Sequence, residues 1–80
     1  MKQYKMNVVE ELVKRAESDR IVLLKSAANE AGVERLTSEE ALEVLSKASR
    51  RTGYRIVRMV KKGYESVWEC GALIAPEIEF

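Results

Sequence analysis

The chain has 80 residues, of which 14 are basic and 13 acidic, and it contains one cysteine and no histidine. These counts exclude an internal disulfide, a histidine-dependent catalytic triad and a zinc site of the usual Cys/His kind. An apolar content of 46% beside 34% charged residues predicts a single folded domain over residues 1–80, with short tails at 1–6 and 76–80.

The first predicted helix begins at Asn7. The Asn7 side chain suits an N-cap, and Glu10 follows three residues later, as in a capping box. Apolar residues then recur at helical spacing and form one face, made of Val8, Val9, Leu12, Val13 and Ala16. The helix is expected to end near Ser18.

The segment from Ser18 to Gly32 allows two interpretations. In the first, Ser18 or Asp19 caps a second helix that ends at Gly32, a residue that readily adopts the left-handed conformation of a helix stop. In the second, Ile21–Leu24 forms a short strand that precedes a shorter helix. The β-branched residues favour the second interpretation, but four apolar residues in a row do not decide between them.

The third predicted helix has the clearest boundaries. Thr37 and Glu40 form a T-x-x-E capping box at its start, and Gly53 supplies a left-handed stop at its end. The expected buried face consists of Ala41, Leu42, Val44, Leu45 and Ala48. This spacing predicts an amphipathic helix that packs against the first two.

After Gly53 the pattern changes to that of a β-hairpin. Residues 54–62 are rich in aromatic and β-branched side chains, Gly63 lies in a predicted turn, and residues 66–74 are expected to return as the antiparallel strand. Gly71 indicates a bulge or a close approach of two backbones. The residues expected to close the core against the helices are Ile56, Met59, Val60, Val67 and Trp68.

The charge is distributed unevenly along the chain. No acidic residue lies between Ser46 and Lys62, a window that we call the basic segment. Its basic residues are Lys47, Arg50, Arg51, Arg55, Arg58, Lys61 and Lys62. Outside it, 7 basic residues stand against 13 acidic ones, which gives the remainder a formal charge of −6. Because salt screens charges beyond roughly 10 Å, this segment can attract phosphates although the whole chain is nearly neutral.

We expect these cations to form one strip that runs from the end of the third helix to the hairpin turn. Hydroxyl groups beside them, on Ser46, Ser49, Thr52 and Ser66, could donate to phosphates or base edges. Tyr64 at the turn could pack on a sugar or a splayed base, or fold onto its own hairpin. The strip is therefore a candidate nucleic-acid surface.

A purely structural explanation of the basic segment stays open. Cations near a helix carboxyl end complement the helix dipole, Glu43 and Lys47 can pair at i,i+4, and lysines on an edge strand discourage aggregation. Glu39, Glu40 and Glu43 also oppose base reading by the first turns of the third helix, since they would repel phosphates. We therefore expect contacts to the phosphate backbone and weak discrimination of sequence.

The predicted order of three helices and a terminal hairpin resembles that of winged helix-turn-helix domains. The resemblance covers roughly residues 7–75 and rests on the order of the elements. It implies an α+β fold in which Thr37–Thr52 is the recognition helix and Arg58–Ser66 is the wing. It also implies duplex DNA as the partner.

Two functions follow from these patterns. The first is a small DNA-binding protein, a transcriptional regulator or a DNA-associated accessory factor, acting as a dimer. The alternative is a subunit or inhibitor that docks to a larger protein assembly. Val8, Val9 and Ile21–Leu23 supply more apolar residues than one small face needs, which favours a dimer seam or docking site. We expect no enzyme activity and no cofactor, because no phosphate-binding glycine loop and no nucleophile–base set is present.

The expected setting is a reducing cytoplasm, because Cys70 is the single cysteine and no internal disulfide is possible. Cys70 itself is expected to be buried and inert. The abundance of Glu, Lys and Arg, with few Asn and Gln, is typical of thermophilic proteins.

Overall fold

The computed structural model describes residues 1–60, 62–63 and 65–79. Within these residues the elements are α1 (Gln3–Ala16), β1 (Ile21–Leu23), α2 (Leu24–Glu30), α3 (Ser38–Thr52), β2 (Arg55–Arg58), α4 (Val67–Cys70) and β3 (Gly71–Ile74). The predicted α+β class is confirmed. In this part of the chain, none of the helices has the length and apolar character that a membrane-spanning segment needs.

The three strands form one antiparallel sheet in the order β1-β3-β2. Val22 lies opposite Leu73, which lies opposite Ile56, so these three side chains share one face of the sheet. Val22 and Leu73 belong to the hydrophobic core, so this is the face on which the helices pack. The structure is thus a helical layer on one side of a small sheet.

The core is built from aliphatic side chains of the helices, and Trp68 of α4 joins it. Its largest fully buried members include Leu12, Leu24, Leu36 and Leu45, which come from α1, α2, the α2–α3 connection and α3. Among the described residues no charged side chain is buried, and the Tyr54 hydroxyl, which is a buried polar group, is hydrogen-bonded. The fold is therefore held together mainly by apolar burial, with polar contacts at its surface.

Helix α1 starts at Gln3, four residues before the predicted start at Asn7. Contacts to α3 explain the difference. The Tyr4 hydroxyl donates to the Glu40 carboxylate, and Lys5 Nζ lies 2.7 Å from Glu43 Oε1. These contacts join residues far apart in sequence, so the local capping signal at Asn7 could not anticipate them.

The short-strand interpretation of Ile21–Leu24 is correct, since β1 covers Ile21–Leu23 and α2 follows directly. The predicted capping and end of α3 are confirmed. Thr37 Oγ1 accepts from the Glu40 amide at 3.1 Å, and Glu40 Oε1 accepts from the Thr37 amide at 3.0 Å. Gly53 ends the helix with φ of 78°.

The predicted returning strand at residues 66–74 is wrong in its first half. Residues 67–70 form the short helix α4, because Ser66 caps it by accepting from the Glu69 amide, and Trp68 enters the core. Strand β3 then begins at Gly71. A Cβ there would lie 2.5 Å from the Val67 carbonyl oxygen, which confirms the predicted close approach.

The first predicted hairpin strand, residues 54–62, is shortened to Arg55–Arg58. Two of the side chains expected to close the core are exposed instead, namely Ile56 and Val60, the latter with 64% of its surface accessible. Both positions lie at or beyond an edge strand, where the helical layer does not cover them. Val60 follows the last paired residue of β2, which explains its greater exposure.

Candidate nucleic-acid interface

The exposed side of α3 carries a stripe that faces solvent. Glu39, Leu42, Ser46 and Arg50 recur at spacings of three and four, opposite the buried residues of the helix. Leu42 was expected in the core, but 47% of its surface is accessible. The stripe changes along the helix from an acidic start through an apolar middle to a basic end.

Two of the three glutamates that oppose phosphate binding are engaged with other groups. Glu40 belongs to the capping box and also accepts from Tyr4, while Glu43 pairs with Lys5 of α1. The pKa of Glu40 lies below its usual value, chiefly because the Thr37 amide donates to the carboxylate and secondly because Tyr4 does. Glu39 is thus the one acidic side chain of this helix without a side-chain partner among the described residues.

The basic end of α3 separates into free and paired cations. Lys47 and Arg50 are exposed, and neither forms an ion pair with another described residue. Arg51 turns toward α1 and donates two hydrogen bonds to the Glu10 carboxylate. Those bonds raise the pKa of Arg51 and lower that of Glu10. Arg51 is therefore not among the unpaired cations of the expected strip.

The two arginines of β2 point to opposite faces of the sheet. Side chains alternate along a strand, so Ile56 and Arg58 lie on the helical side while Arg55 and Val57 lie on the other. Arg55 donates to the carbonyl oxygen of Ile78 in the tail, and Arg58 donates to that of Glu65. A carbonyl leaves the guanidinium charge uncompensated, but the structure does not bring Arg55 together with the cations of α3.

The predicted turn contributes one described cation. Lys62 is exposed beside Gly63, whose φ of 86° matches the predicted turn. Lys61 and Tyr64, which the sequence also assigns to the interface, lie outside the described residues. Without Arg51, which is paired, and Arg55, which lies on the other side of the sheet, the exposed described cations of the basic segment are Lys47, Arg50, Arg58 and Lys62, and we call these four the cationic face.

Most of the hydroxyl groups beside the cations serve the fold. Ser49 donates to the Tyr54 carbonyl, Thr52 Oγ1 lies 2.8 Å from the Ala48 carbonyl oxygen, and Ser66 caps α4. Ser46 makes no side-chain hydrogen bond within the described part of the chain, and it lies one turn before Arg50. Of the four predicted hydroxyl donors, Ser46 is the one placed to meet a ligand.

Tyr54 positions the interface, and the sequence analysis did not identify it. Its ring is buried, and its hydroxyl lies 2.7 Å from the carbonyl oxygens of Ala16 and Asp19 while accepting from Arg20 at 3.3 Å. These hydrogen bonds hold the connection between α3 and β2 against the connection between α1 and β1. The available signal was an aromatic residue directly after the helix-ending glycine, where an apolar contact commonly completes the stop.

An open cleft of about 210 Å³ lies between the carboxyl ends of α1 and α3. Val13, Ala16, Glu17, Arg51, Thr52 and Tyr54 line it. The polar groups of Thr52 and Tyr54 are already hydrogen-bonded, and Arg51 is paired with Glu10. The cleft therefore presents few polar atoms to a small ligand.

Among the described residues no group of three or more histidine, cysteine, aspartate or glutamate side chains could hold a metal ion. Comparisons with models of protein families, with curated proteins and with solved structures find no match to this chain. The chemistry that this surface can perform is electrostatic and hydrogen-bonding contact with an anionic partner.

Proposed function

We propose that the protein binds nucleic acid, duplex DNA in the first instance, through the cationic face. The observation that carries the proposal is the exposure of Lys47 and Arg50 at the basic end of α3, without carboxylate partners among the described residues. Arginine can hold a phosphate with two hydrogen bonds, and lysine supplies a mobile charge.

The distribution of ion pairs supports this function over a purely structural role for the basic segment. Arg51 is neutralised by Glu10, so it accounts for one charge of the segment. The expected i,i+4 pair between Glu43 and Lys47 does not form, because Glu43 pairs with Lys5. If the basic segment were only a solvent-exposed structural surface, exposed lysines would be expected. That explanation does not account for the arginines that donate to neutral carbonyl oxygens or face solvent.

The order of the elements supports a winged-helix-like mode of binding. Helices α1, α2 and α3 precede β2 and β3, which pair in antiparallel register. The main helical neighbours of α3 are α1 and α4, and α4 occupies the place of the returning wing strand. In the proposed mode the end of α3 and the base of the wing contact the phosphate backbone, and sequence discrimination is weak.

The salt dependence of binding gives a quantitative test. If each of the four side chains of the cationic face meets one phosphate, the slope of log K against log salt is about −3.6 on B-DNA. Fluorescence anisotropy with duplex DNA, single-stranded DNA and RNA of equal length, at about 50 and 200 mM salt, measures this slope. Failure of all three to bind at low salt would refute the proposal.

A matched pair of double variants tests the assigned surface. Lys47→Ala with Arg50→Ala removes two charges from the cationic face, and we expect the slope to become smaller by about 1.8. Lys14→Ala with Lys25→Ala removes the same charge from exposed positions of α1 and α2. That control should leave the slope unchanged, and an equal loss in both variants would contradict the assignment.

Docking to an acidic protein partner is the second candidate, because exposed apolar side chains accompany the cations. Leu42 lies in the same stripe of α3 as Arg50, and Ile56 lies on the same side of β2 as Arg58. Absence of nucleic-acid binding, together with stoichiometric co-purification of one protein, would favour this candidate.

For either function we propose a reducing cytoplasmic setting, which the free and buried Cys70 supports.

A further inference from the structure

The two edges of the sheet differ in charge. In the order β1-β3-β2, strands β1 and β2 each pair on one side within the described part of the chain. Strand β1 reads Ile-Val-Leu and carries no charge, whereas β2 reads Arg-Ile-Val-Arg. We call the unpaired side of Arg55–Arg58, with its side chains, the β2 edge.

The backbone of the β2 edge has hydrogen-bonding groups that point away from the sheet. The Met59 amide donates to the Cys70 carbonyl at 2.7 Å, so these two residues form a hydrogen-bonded pair of the antiparallel ladder. Such pairs alternate with non-bonded pairs along a strand, which leaves the amides and carbonyls of Ile56 and Arg58 pointing outward. These groups make no hydrogen bond to another described residue.

The side chains beside these backbone groups are accessible. Arg55 and Arg58 are exposed, Ile56 is 39% exposed, and Val60, just beyond the strand, is 64% exposed. Ile56 lies on the helical side of the sheet, so its exposure shows that the helical layer stops short of this edge. The backbone and the side chains of β2 are thus open together.

The charge of the β2 edge is not balanced by a carboxylate of the described residues. Its two arginines each donate through Nη2 to a backbone carbonyl, Arg55 to that of Ile78 and Arg58 to that of Glu65. A guanidinium has five N–H donors, so one carbonyl leaves donors free and neutralises no charge. None of the ion pairs between described residues includes either arginine. The edge is therefore complementary to carboxylates.

We propose that the β2 edge binds an extended acidic segment of a partner protein, which adds to the sheet as a fourth strand. Opposite charges on neighbouring strands attract, so carboxylates of the segment stand opposite Arg55 and Arg58. Apolar side chains then stand opposite Ile56 and Val57. The recognised pattern is acid–apolar–apolar–acid, which is the same in parallel and antiparallel orientation. This inference requires no nucleic-acid binding and gives the docking candidate above a specific site.

A second copy of the chain does not fit this edge. Pairing of two β2 edges would bring the arginines of both copies together without a carboxylate, and like charges on neighbouring strands repel. The acidic tail of the same chain is held elsewhere, since Glu77 pairs with Arg20 beside β1. The occupant is therefore an acidic segment of another protein.

Heteronuclear NMR of the full chain without nucleic acid, titrated with a capped peptide of sequence S-E-V-V-E-S, tests the proposal. A four-residue strand contacts far less than the roughly 800 Å² per partner of a standard interface, so we expect a Kd on the order of 100 µM. Hydrogen exchange of the Ile56 and Arg58 amides should then slow about tenfold at about 1 mM peptide, because these amides gain a bond.

A peptide with reversed charges is the matched control. S-K-V-V-K-S keeps the apolar pair and should bind wild type at least about tenfold more weakly, a comparison that needs no variant. The double variant Arg55→Glu with Arg58→Glu should prefer the lysine peptide. Lys14→Glu with Lys25→Glu changes the net charge equally at exposed positions of α1 and α2, and it should bind the acidic peptide within about threefold of wild type. Circular dichroism checks that each variant is folded.

Three results would overturn the proposal. The first is unchanged exchange of the Ile56 and Arg58 amides at about 1 mM acidic peptide, and the second is equal binding of the two peptides. The third is slower exchange of the same amides as the protein concentration alone is raised, which would place a second copy on the edge. Because nucleic acid is absent, failure here is distinguishable from failure of the salt-slope experiment.

Discussion

Replacing Tyr54 by phenylalanine removes a single oxygen from the joint that holds the end of α3 against the end of α1. The phenol donates its one proton to the carbonyl oxygen of Ala16 or Asp19, each 2.7 Å away, and the ring around it is 6% exposed. A buried acceptor that loses its donor costs about 1–3 kcal/mol, and water can reach the Asp19 side of this site. We therefore expect a loss of about 1–2 kcal/mol in the free energy of unfolding.

Urea denaturation followed by circular dichroism measures this loss, and in a domain of this size each kcal/mol lowers the Tm by roughly 4–8 °C. Tyr4→Phe is the matched control. Its hydroxyl also bonds across the helices, to Glu40, but the residue is 37% exposed. The control should change stability much less than Tyr54→Phe does. Equal effects of the two substitutions would refute the argument from burial.

Two further substitutions test local features of the fold. Gly71→Ala introduces a Cβ 2.5 Å from the Val67 carbonyl oxygen, and we expect it to lower the free energy of unfolding by about 1–3 kcal/mol; a urea midpoint like that of the wild type would contradict the close approach. Glu10→Gln tests the ion pair with Arg51, which holds the pKa of Glu10 below its usual value of 4.5. A lowered folded-state pKa stabilises the protein above the unfolded-state pKa, and the benefit disappears as the pH falls through the folded-state value. The Tm of wild type should therefore exceed that of Glu10→Gln at neutral pH, and the two should converge as the pH falls through the lowered pKa of Glu10; a constant difference would exclude the pair as the cause.

Local signals explain which helices could be predicted from the sequence. The boundaries of α3 were predicted correctly because Thr37, Glu40 and Gly53 fix them through contacts within a few residues. Helix α4 was missed although Ser66 and Glu69 carry the same capping signal as Thr37 and Glu40. A helix of four residues has little stability of its own, so the burial of Trp68 within α4 decides the conformation of this segment.

The candidate interface was predicted less well because it depends on packing. Arg51 is neutralised by Glu10, which lies 41 residues away in sequence, and this contact exists only after α1 and α3 have packed. The separation of Arg55 from Arg58 follows from strand alternation, which the sequence contains, but only after the limits of β2 are known. Charge counts therefore identified the basic segment, while the fold determines which of its members are paired and on which side of the sheet each arginine of β2 lies.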